Sequence, residues 1–132
     1  MSEAKKQSVL LVDDDQFLIN MYILKFKNSG FEVETGNNAT AALQKMRDGL
    51  RPDVILCDLV MPGIDGLEFI KQTRTENLSG SAKIIVLTNQ GQAAEIERAQ
   101  ALGIDGYIVK ASTIPSEVVE EVKKILEKHR TK

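Results

Sequence analysis

Five short apolar segments alternate with five helical patterns, and this alternation is the feature that most restricts how the chain can fold. Short runs rich in Val, Ile and Leu are typical of strands buried in a sheet. Strands that alternate regularly with helices favour a parallel sheet covered by helices on both faces, and right-handed crossovers leave few topologies. The sequence therefore predicts a doubly wound (βα)5 α/β fold of flavodoxin-like strand order 2-1-3-4-5. The predicted strands are SVLLV, FEVETG, PDVILCD, KIIVLT and GYIVK.

Local signals mark where the predicted helices begin and end. Asp15 and Asn38 are candidate N-caps of the first and second helices. Gly30 and Gly49 close the same two helices, and Pro115 suits the first turn of the last helix. The last helix is expected to turn an apolar stripe toward the core, formed by Val118, Val119, Val122, Ile125 and Leu126.

Length and composition exclude several classes of protein. The 132 residues suit one domain spanning 1–132, with a core of about residues 8–129. A net charge of −2 offers no basic field for nucleic acid, so we expect no nucleic-acid partner. No apolar run approaches the ~20 residues of a membrane span, and the N-terminal MSEAKKQS lacks the apolar stretch of a signal peptide. The single Cys57 excludes an internal disulfide, so a cytoplasmic protein without membrane contact is expected.

Polar side chains follow or end four of the five predicted strands. Asp13 and Asp14 come after the first strand, and Asp58 ends the third. Thr88 ends the fourth strand and Lys110 the fifth. Because the carboxyl ends of parallel strands meet at one edge of the sheet, we expect these five side chains to lie together.

Three carboxylates at one edge repel one another unless a cation lies between them. Oxygen donors of this kind suit Mg²⁺, with Mn²⁺ as a substitute, and Mg²⁺ prefers one or two carboxylates together with water and phosphate oxygens. Lys110 can reach a phosphate or a carboxylate, and Thr88 can donate a hydrogen bond to an anion. Since an aspartate can also accept a phosphoryl group covalently, the residues predict a site that holds a phosphoryl group beside Mg²⁺.

Four motifs in order resemble those of the receiver domains of two-component response regulators, and the whole chain is similar to the stand-alone, chemotaxis-regulator-like receivers. The motifs are LLVDDD, ILCDLVMPGIDG, IIVLT and GYIVK, spread over about 100 residues. Each motif by itself is weakly specific. Four of them in this order, each at the end of a predicted strand, are highly specific.

The resemblance implies a role for each acidic residue. Asp58 is the residue that resembles the phosphoacceptor. Asp14 resembles the direct Mg²⁺ ligand, and Asp13 the ligand that acts through water. The backbone carbonyl of Val60 resembles the third ligand that the protein supplies to the metal.

The remaining matches concern the phosphate and the response to it. Thr88 and Lys110 resemble the pair that binds the phosphoryl group. Tyr107 resembles the aromatic residue that turns inward when Thr88 moves toward that group. By the same resemblance, Pro62 and Gly63 shape the loop after the phosphoacceptor, and Gly66 lets the next helix start close by.

Two residues depart from the family pattern. Asn89 stands where the family usually has a small residue, so it could narrow access to Asp58 or contact the phosphate. Ala111 follows Lys110 where the family usually has proline after a cis peptide bond. A cis bond without proline costs about 2.5–4 kcal/mol, so the sequence leaves open whether this bond is cis or trans.

Val60 and Gln90 occupy positions that, by the same resemblance, control the attack of water on an aspartyl phosphate. Val60 offers no hydrogen bond to a water molecule, whereas Gln90 could offer one. Together with Asn89, these residues predict slow to intermediate self-dephosphorylation.

The main functional hypothesis is a phosphoacceptor switch without substrate turnover. A histidine kinase or a histidine phosphotransfer protein would donate a phosphoryl group to Asp58. The face made by residues 92–102, 106–109 and 115–129 would then shift and bind an output protein of unknown identity. The protein is expected to be a monomer or a weak dimer.

Two alternatives from other functional classes stay open at this point. A constitutive binding adaptor with vestigial phosphorylation would account for Asn89 and Ala111. A phosphatase that forms an aspartyl phosphate would also draw Asp, Thr and Lys from strand ends. Such enzymes commonly carry a second aspartate two residues after the nucleophile, where this chain has Val60.

Overall fold

The computed structural model describes residues 6–61, 63–88, 93–110 and 113–130, with only the backbone described for 129 and 130. Strands and helices alternate throughout. The strands are β1 (Ser8–Val12), β2 (Glu32–Gly36), β3 (Val54–Asp58), β4 (Lys83–Thr88) and β5 (Gly106–Val109). The helices are α1 (Gln16–Asn28), α2 (Ala39–Arg47), α3 (Gly66–Thr75), α4 (Ala93–Ala101) and α5 (Pro115–Arg130).

The strands form one parallel sheet in the order β2-β1-β3-β4-β5. The predicted doubly wound, flavodoxin-like topology is therefore confirmed. In this order β1 and β3 lie side by side, and the sheet extends in opposite directions from them. The carboxyl ends of β1 and β3 thus flank the position where the strand order reverses, which is where such sheets bind ligands.

Each face of the sheet is covered by a separate layer of helices. Alternate residues along a strand point to opposite faces, so the buried strands supply apolar side chains to both layers. One apolar cluster joins the sheet to α2, α3 and α4. The other joins it to α1 and α5.

The α5 stripe packs as predicted. Val118, Val119, Val122 and Leu126 are buried, and Ile125 is partly buried against the same cluster. β2 is covered less completely because it lies at an edge of the sheet, and its Glu32 and Glu34 are exposed.

The helix ends also follow the local signals. The side chain of Asp15 accepts a hydrogen bond from the Leu18 N–H at 3.2 Å. Asn38 accepts from the Ala41 N–H at 2.8 Å, so both predicted N-caps are confirmed. Gly30, which follows the C-cap residue Ser29 of α1, has a φ of +91°, a conformation that favours glycine. Within the ranges described, the helices are too short or too polar to cross a membrane.

Candidate functional site

Three acidic side chains meet at the carboxyl edge of β1 and β3. Asp13 and Asp14 follow β1, and Asp58 is the last residue of β3. One carboxylate oxygen from each of the three lies within 4.8 Å of the others. Asp13 and Asp58 are buried, with 2% and 4% of their surfaces exposed, whereas Asp14 faces solvent. The cluster is therefore closed on the protein side and open toward water.

The backbone fixes the first of these carboxylates in place. The Asp13 N–H donates to the Gly36 carbonyl at 3.2 Å, which ties the end of β1 to the end of β2. The Asp15 N–H donates to Asp13 Oδ1 at 3.0 Å. Asp13 therefore has one oxygen bound to the start of α1, and Oδ2 remains available to the site.

Lys110 adds a positive charge to the acidic cluster from the end of the edge strand β5. It directly follows β5, and its Nζ lies 3.1 Å from Asp13 Oδ2 and 3.3 Å from Asp58 Oδ2. Three carboxylates against one ammonium group leave the cluster with excess negative charge at neutral pH.

Burial and the neighbouring charges together set the pKa of Asp58. It is raised from 3.8 to about 6, first by burial and then by the charge of Asp13. Lys110 and the Val60 backbone N–H oppose the shift without cancelling it. Burial lowers the pKa of Lys110, but the charges of Asp58 and Asp13 outweigh that effect and raise the pKa.

The same negative field reaches a residue that the sequence analysis missed. Tyr22 of α1 is 2% exposed, and its pKa rises to about 12 because of burial and then the charges of Asp13, Asp58 and Asp15. Tyr22 carries no sequence signal because it occupies an apolar position of an ordinary amphipathic helix.

A hard divalent cation fits these donors. Asp58 Oδ1 is buried and has no hydrogen-bond partner among the residues described. Asp13 Oδ2 forms an ion pair with Lys110 Nζ, but the angles between the two groups do not suit a hydrogen bond. Buried oxygen atoms without partners are costly, and a cation would satisfy both while offsetting the repulsion between the carboxylates. All donors are oxygen, as Mg²⁺ prefers, and the exposed side leaves room for water or phosphate oxygens.

Comparison with known proteins identifies the family. The family model for the response regulator receiver domain matches residues 9–123. This chain belongs to that family. Receiver domains of two-component response regulators are signalling domains and not classical turnover enzymes.

Solved receiver structures have the same fold. The chemotaxis protein CheY4 of Vibrio cholerae superposes with a TM-score of 0.83 at 29% identity, covering 92% of this chain and 99% of that one. A putative response regulator of Chloroflexus aurantiacus also gives a TM-score of 0.83, at 34% identity, covering 93% of this chain and 99% of that one.

Curated relatives are longer proteins. The DNA-binding response regulator MtrA of Mycobacterium tuberculosis is 31% identical over 121 residues, which cover 92% of this chain and 51% of MtrA. The transcriptional regulatory protein ResD of Bacillus subtilis is 33% identical over 128 residues, which cover 96% of this chain and 50% of ResD. This receiver domain spans about half the length of the curated relatives it matches.

Two further predicted site residues occupy strand positions near the cluster. Thr88, at the end of β4, is fully buried, and its Oγ1 has no hydrogen-bond partner in the part of the chain described. β3 pairs with β4 so that Asp58 lies beside Leu87, one residue before Thr88. Tyr107 lies in β5 with 47% of its surface exposed, so its ring faces outward in this structure. The structure therefore brings Thr88 to the edge of the receiver site and leaves Tyr107 outside it.

The loop after β3 adds backbone groups to the site. Val60 is 54% exposed, and its N–H interacts with the Asp58 carboxylate. Gly63 has a φ of +78°. The Gly66 N–H donates to the Leu59 carbonyl at 2.9 Å, which holds the start of α3 against the end of β3. Four predicted residues lie outside the described ranges: Pro62, Asn89, Gln90 and Ala111.

Three exposed apolar side chains lie close in sequence to the acidic residues or to Lys110, and sequence reasoning did not single them out as exposed. Phe17 is 76% exposed at the start of α1, close in sequence to Asp13 and Asp14. Ile114 is 60% exposed in the connection that follows Lys110. Val60, two residues after Asp58, is the third exposed apolar residue.

Proposed function

We propose that this receiver domain accepts a phosphoryl group on Asp58 from a phosphohistidine of a kinase or a phosphotransfer protein. The observation that carries the proposal is the state of Asp58 itself. Its carboxylate is buried, keeps one oxygen without a partner, and lies 3.3 Å from Lys110 within a cluster of three carboxylates. A structural aspartate would have both oxygens hydrogen-bonded, because an unsatisfied buried acceptor destabilises the fold.

One oxygen of the Asp58 carboxylate is the proposed nucleophile, and the other would stay available to the metal ion. As it attacks, the new O–P bond forms while the P–N bond to the donor imidazole breaks, and the imidazole leaves and is protonated from solvent. Lys110 lies within reach of the added phosphate oxygens and stabilises their charge. The free Oγ–H of Thr88 can donate to one of those oxygens.

Asp13, Asp14 and Asp58 would hold Mg²⁺, with the Val60 carbonyl as a further candidate ligand. The bound ion would supply charge neutralisation for the attacking carboxylate and the phosphoryl group. Mn²⁺ offers the same oxygen preference and would serve as a substitute.

Docking of the phosphodonor is supported by the exposed apolar residues that lie close in sequence to the site residues. Phe17, Val60 and Ile114 offer contacts that do not depend on charge, and hydrophobic contacts of this kind contribute much of the affinity in protein interfaces. The donor histidine would then approach Asp58 from the solvent side, where Asp14 is also exposed.

Phosphorylation is proposed to shift the face formed by α4, β5 and α5. The buried Thr88 hydroxyl has no partner to give up before it turns toward a phosphoryl group. Its movement would vacate space for the Tyr107 ring, which is half-exposed in this structure. Two populations of Tyr107 would then present two different surfaces to an output protein.

The proposed setting is a monomeric or weakly dimeric protein in the cytoplasm. The buried free thiol of Cys57 is compatible with a reducing compartment. MtrA and ResD are named as a DNA-binding regulator and a transcriptional regulator. The net charge of −2 gives this receiver domain no overall basic field that would attract DNA.

Mass spectrometry after treatment with acetyl phosphate and Mg²⁺ tests the proposal. The protein should gain one phosphoryl group, localised to Asp58, and the gain should disappear in Asp58→Asn and with EDTA. Lys110→Met should strongly reduce the rate, whereas Lys71→Met, on the exposed surface of α3, should leave it unchanged. Labelling of Asp58→Asn at the wild-type level would reject Asp58 as the acceptor.

The adaptor alternative predicts a different result. An output partner would then bind equally well with and without beryllofluoride, a mimic of the phosphoryl group. The unpartnered Asp58 and Thr88 oxygen atoms favour the switch, because a vestigial site has no reason to retain them.

A further inference from the structure

A groove lies between the edge strand β5 and helix α5, on the face proposed to change with phosphorylation. Its volume is about 440 Å³. β5 pairs with β4 on one side, and among the described strands none pairs with its other side. The groove therefore opens at the edge of the sheet. Its lining includes Tyr107, Thr113, Glu117, Glu120, Glu121 and Lys124.

The charge of the β5–α5 groove is predominantly negative. Three carboxylates face one ammonium group. Lys124 lies 3.7 Å from Glu121, and the neighbouring Lys123 lies 3.9 Å from Glu120. Both are long, exposed contacts between residues three apart on one helix, and such pairs contribute little and exchange readily with solvent. The Glu120 and Glu121 carboxylates can therefore change partners at small cost.

Glu117 plays a different part in the groove. Its Oε1 accepts a hydrogen bond from the Ile114 N–H at 3.2 Å, which caps the start of α5. This carboxylate is held at the end of the groove nearest the phosphorylation site and adds to the negative field. It is not a suitable residue for a binding test, because its replacement would also loosen the helix.

An apolar surface accompanies these charges. The Tyr107 ring is 47% exposed and lines the groove beside the acidic row of α5. An aromatic ring next to carboxylates suits a side chain that combines an apolar stem with a positive head, because arginine and lysine pack their stems on apolar surface and arginine stacks on aromatic rings.

The other edge of the sheet provides a contrast. On β2, Glu34 also contacts a lysine, Lys45, at 3.3 Å. Lys45 is held by a second bond to the Thr35 carbonyl at 2.6 Å, so this amine is fixed beside its acid. Glu32 and Glu34 are exposed carboxylates on an edge strand, and they make a matched control for Glu120 and Glu121.

We infer that the β5–α5 groove binds a cationic segment of a protein partner, with arginine or lysine side chains on Glu120 and Glu121 and an apolar side chain against Tyr107. The identification of that partner as the output protein rests on the proposed function, whereas the binding preference rests on the groove itself. Nucleic acid and anionic membranes are disfavoured occupants, because their charge has the same sign as that of the groove.

Fluorescence anisotropy with a labelled peptide, Arg-Leu-Arg-Lys-Leu-Arg, tests the inference. The peptide should bind wild-type protein, and Glu120→Gln/Glu121→Gln should weaken the affinity about fivefold, as expected for two exposed charge contacts. Glu32→Gln/Glu34→Gln removes the same charge elsewhere and should leave the affinity unchanged. Tyr107→Ala should weaken binding at high salt, where the charge contribution is screened.

Three results would overturn the inference: no binding to the wild type, equal loss in both double variants, or amide shift changes that lie away from β5 and α5 in an NMR titration. Circular dichroism establishes that each variant folds. The peptide titration is repeated with the Asp58→Asn variant and with wild-type protein in the presence of beryllofluoride. Binding that survives in Asp58→Asn supports the groove even if Asp58 fails to accept a phosphoryl group, so the two proposals can fail separately.

Discussion

Replacing Asp58 by asparagine removes a buried negative charge while it leaves the volume of the side chain nearly unchanged, so the exchange measures the cost of that charge. Asp58 is 4% exposed and shares the site with Asp13, which is 2% exposed. One lysine, Lys110, contacts both. We therefore expect Asp58→Asn to stabilise the metal-free protein.

The pKa of Asp58 sets the magnitude. Its rise from 3.8 to about 6 means that the folded state favours the neutral form. Each pKa unit is equivalent to about 1.4 kcal/mol, so the ionised Asp58 carboxylate lowers the free energy of unfolding by about 3 kcal/mol. The attraction of Lys110 is already included, because it lowers the same pKa. With a urea m-value of roughly 2 kcal/mol/M, the midpoint of unfolding should rise by about 1.5 M.

The sign of the pH dependence follows from the direction of the shift. A carboxyl group whose pKa is higher in the folded state destabilises the fold when both states are ionised, above about pH 6. The penalty declines as the pH falls through 6 and is absent below 3.8, where both states are protonated. The difference in stability between Asp58→Asn and the wild type should therefore be largest at pH 8 and shrink toward pH 4.

Urea denaturation in EDTA at pH 8, 6 and 4 provides the measurement. Glu32→Gln, which removes an exposed carboxylate from β2, is the matched control and should change the midpoint by less than about 0.3 M. A midpoint for Asp58→Asn that is equal to or below that of the wild type at pH 8 would refute the reasoning. So would a difference that does not vary with pH.

Three further predictions concern the metal, the α3 junction and a helix cap. Adding Mg²⁺ should raise the urea midpoint of the wild type but not of Asp58→Asn, and an equal rise in both would place the ion elsewhere. Gly66→Ala should destabilise by about 3 kcal/mol, because the new Cβ would overlap the backbone carbonyl oxygen of Asp58. In Gly106→Ala, the new Cβ would lie 2.7 Å from the end of the flexible Ile125 side chain, which can move aside. This variant should lose less than about 1 kcal/mol of stability. Similar unfolding midpoints for the two alanine variants would contradict this account. Asn38→Ala should cost about 1 kcal/mol by thermal unfolding through loss of its bond to the Ala41 N–H, and an unchanged melting temperature would count against the cap.

Much of the fold could be predicted from the sequence because the signals are local. Asp15 and Asn38 accept bonds from N–H groups three residues ahead, so their capping role is written into a single turn of helix. The α5 stripe follows the helical period, and the buried strands follow from continuous apolar runs. The right-handed crossover rule, which holds for nearly all chains, reduced the possible topologies to a few, and the flavodoxin-like strand order was the economical choice among them.

The composition of the site was also predictable, since residues at the carboxyl ends of parallel strands must share one edge. Asp13, Asp14 and Asp58 do cluster there, and Lys110 reaches two of them. Residues far apart in the chain thus become neighbours through topology alone.

Only the tertiary structure decided the energetics of that edge. The raised pKa of Asp58, the unpartnered oxygens of Asp58 and Thr88, and the field at Tyr22 all depend on burial and on distances of a few ångströms. The negative groove beside Tyr107 likewise arises because α5 packs next to an edge strand. By itself the sequence determined which groups come to the edge, because that follows from helix and strand periods. How strongly those groups interact was decided by packing, because electrostatic energies change steeply with distance and solvent exposure.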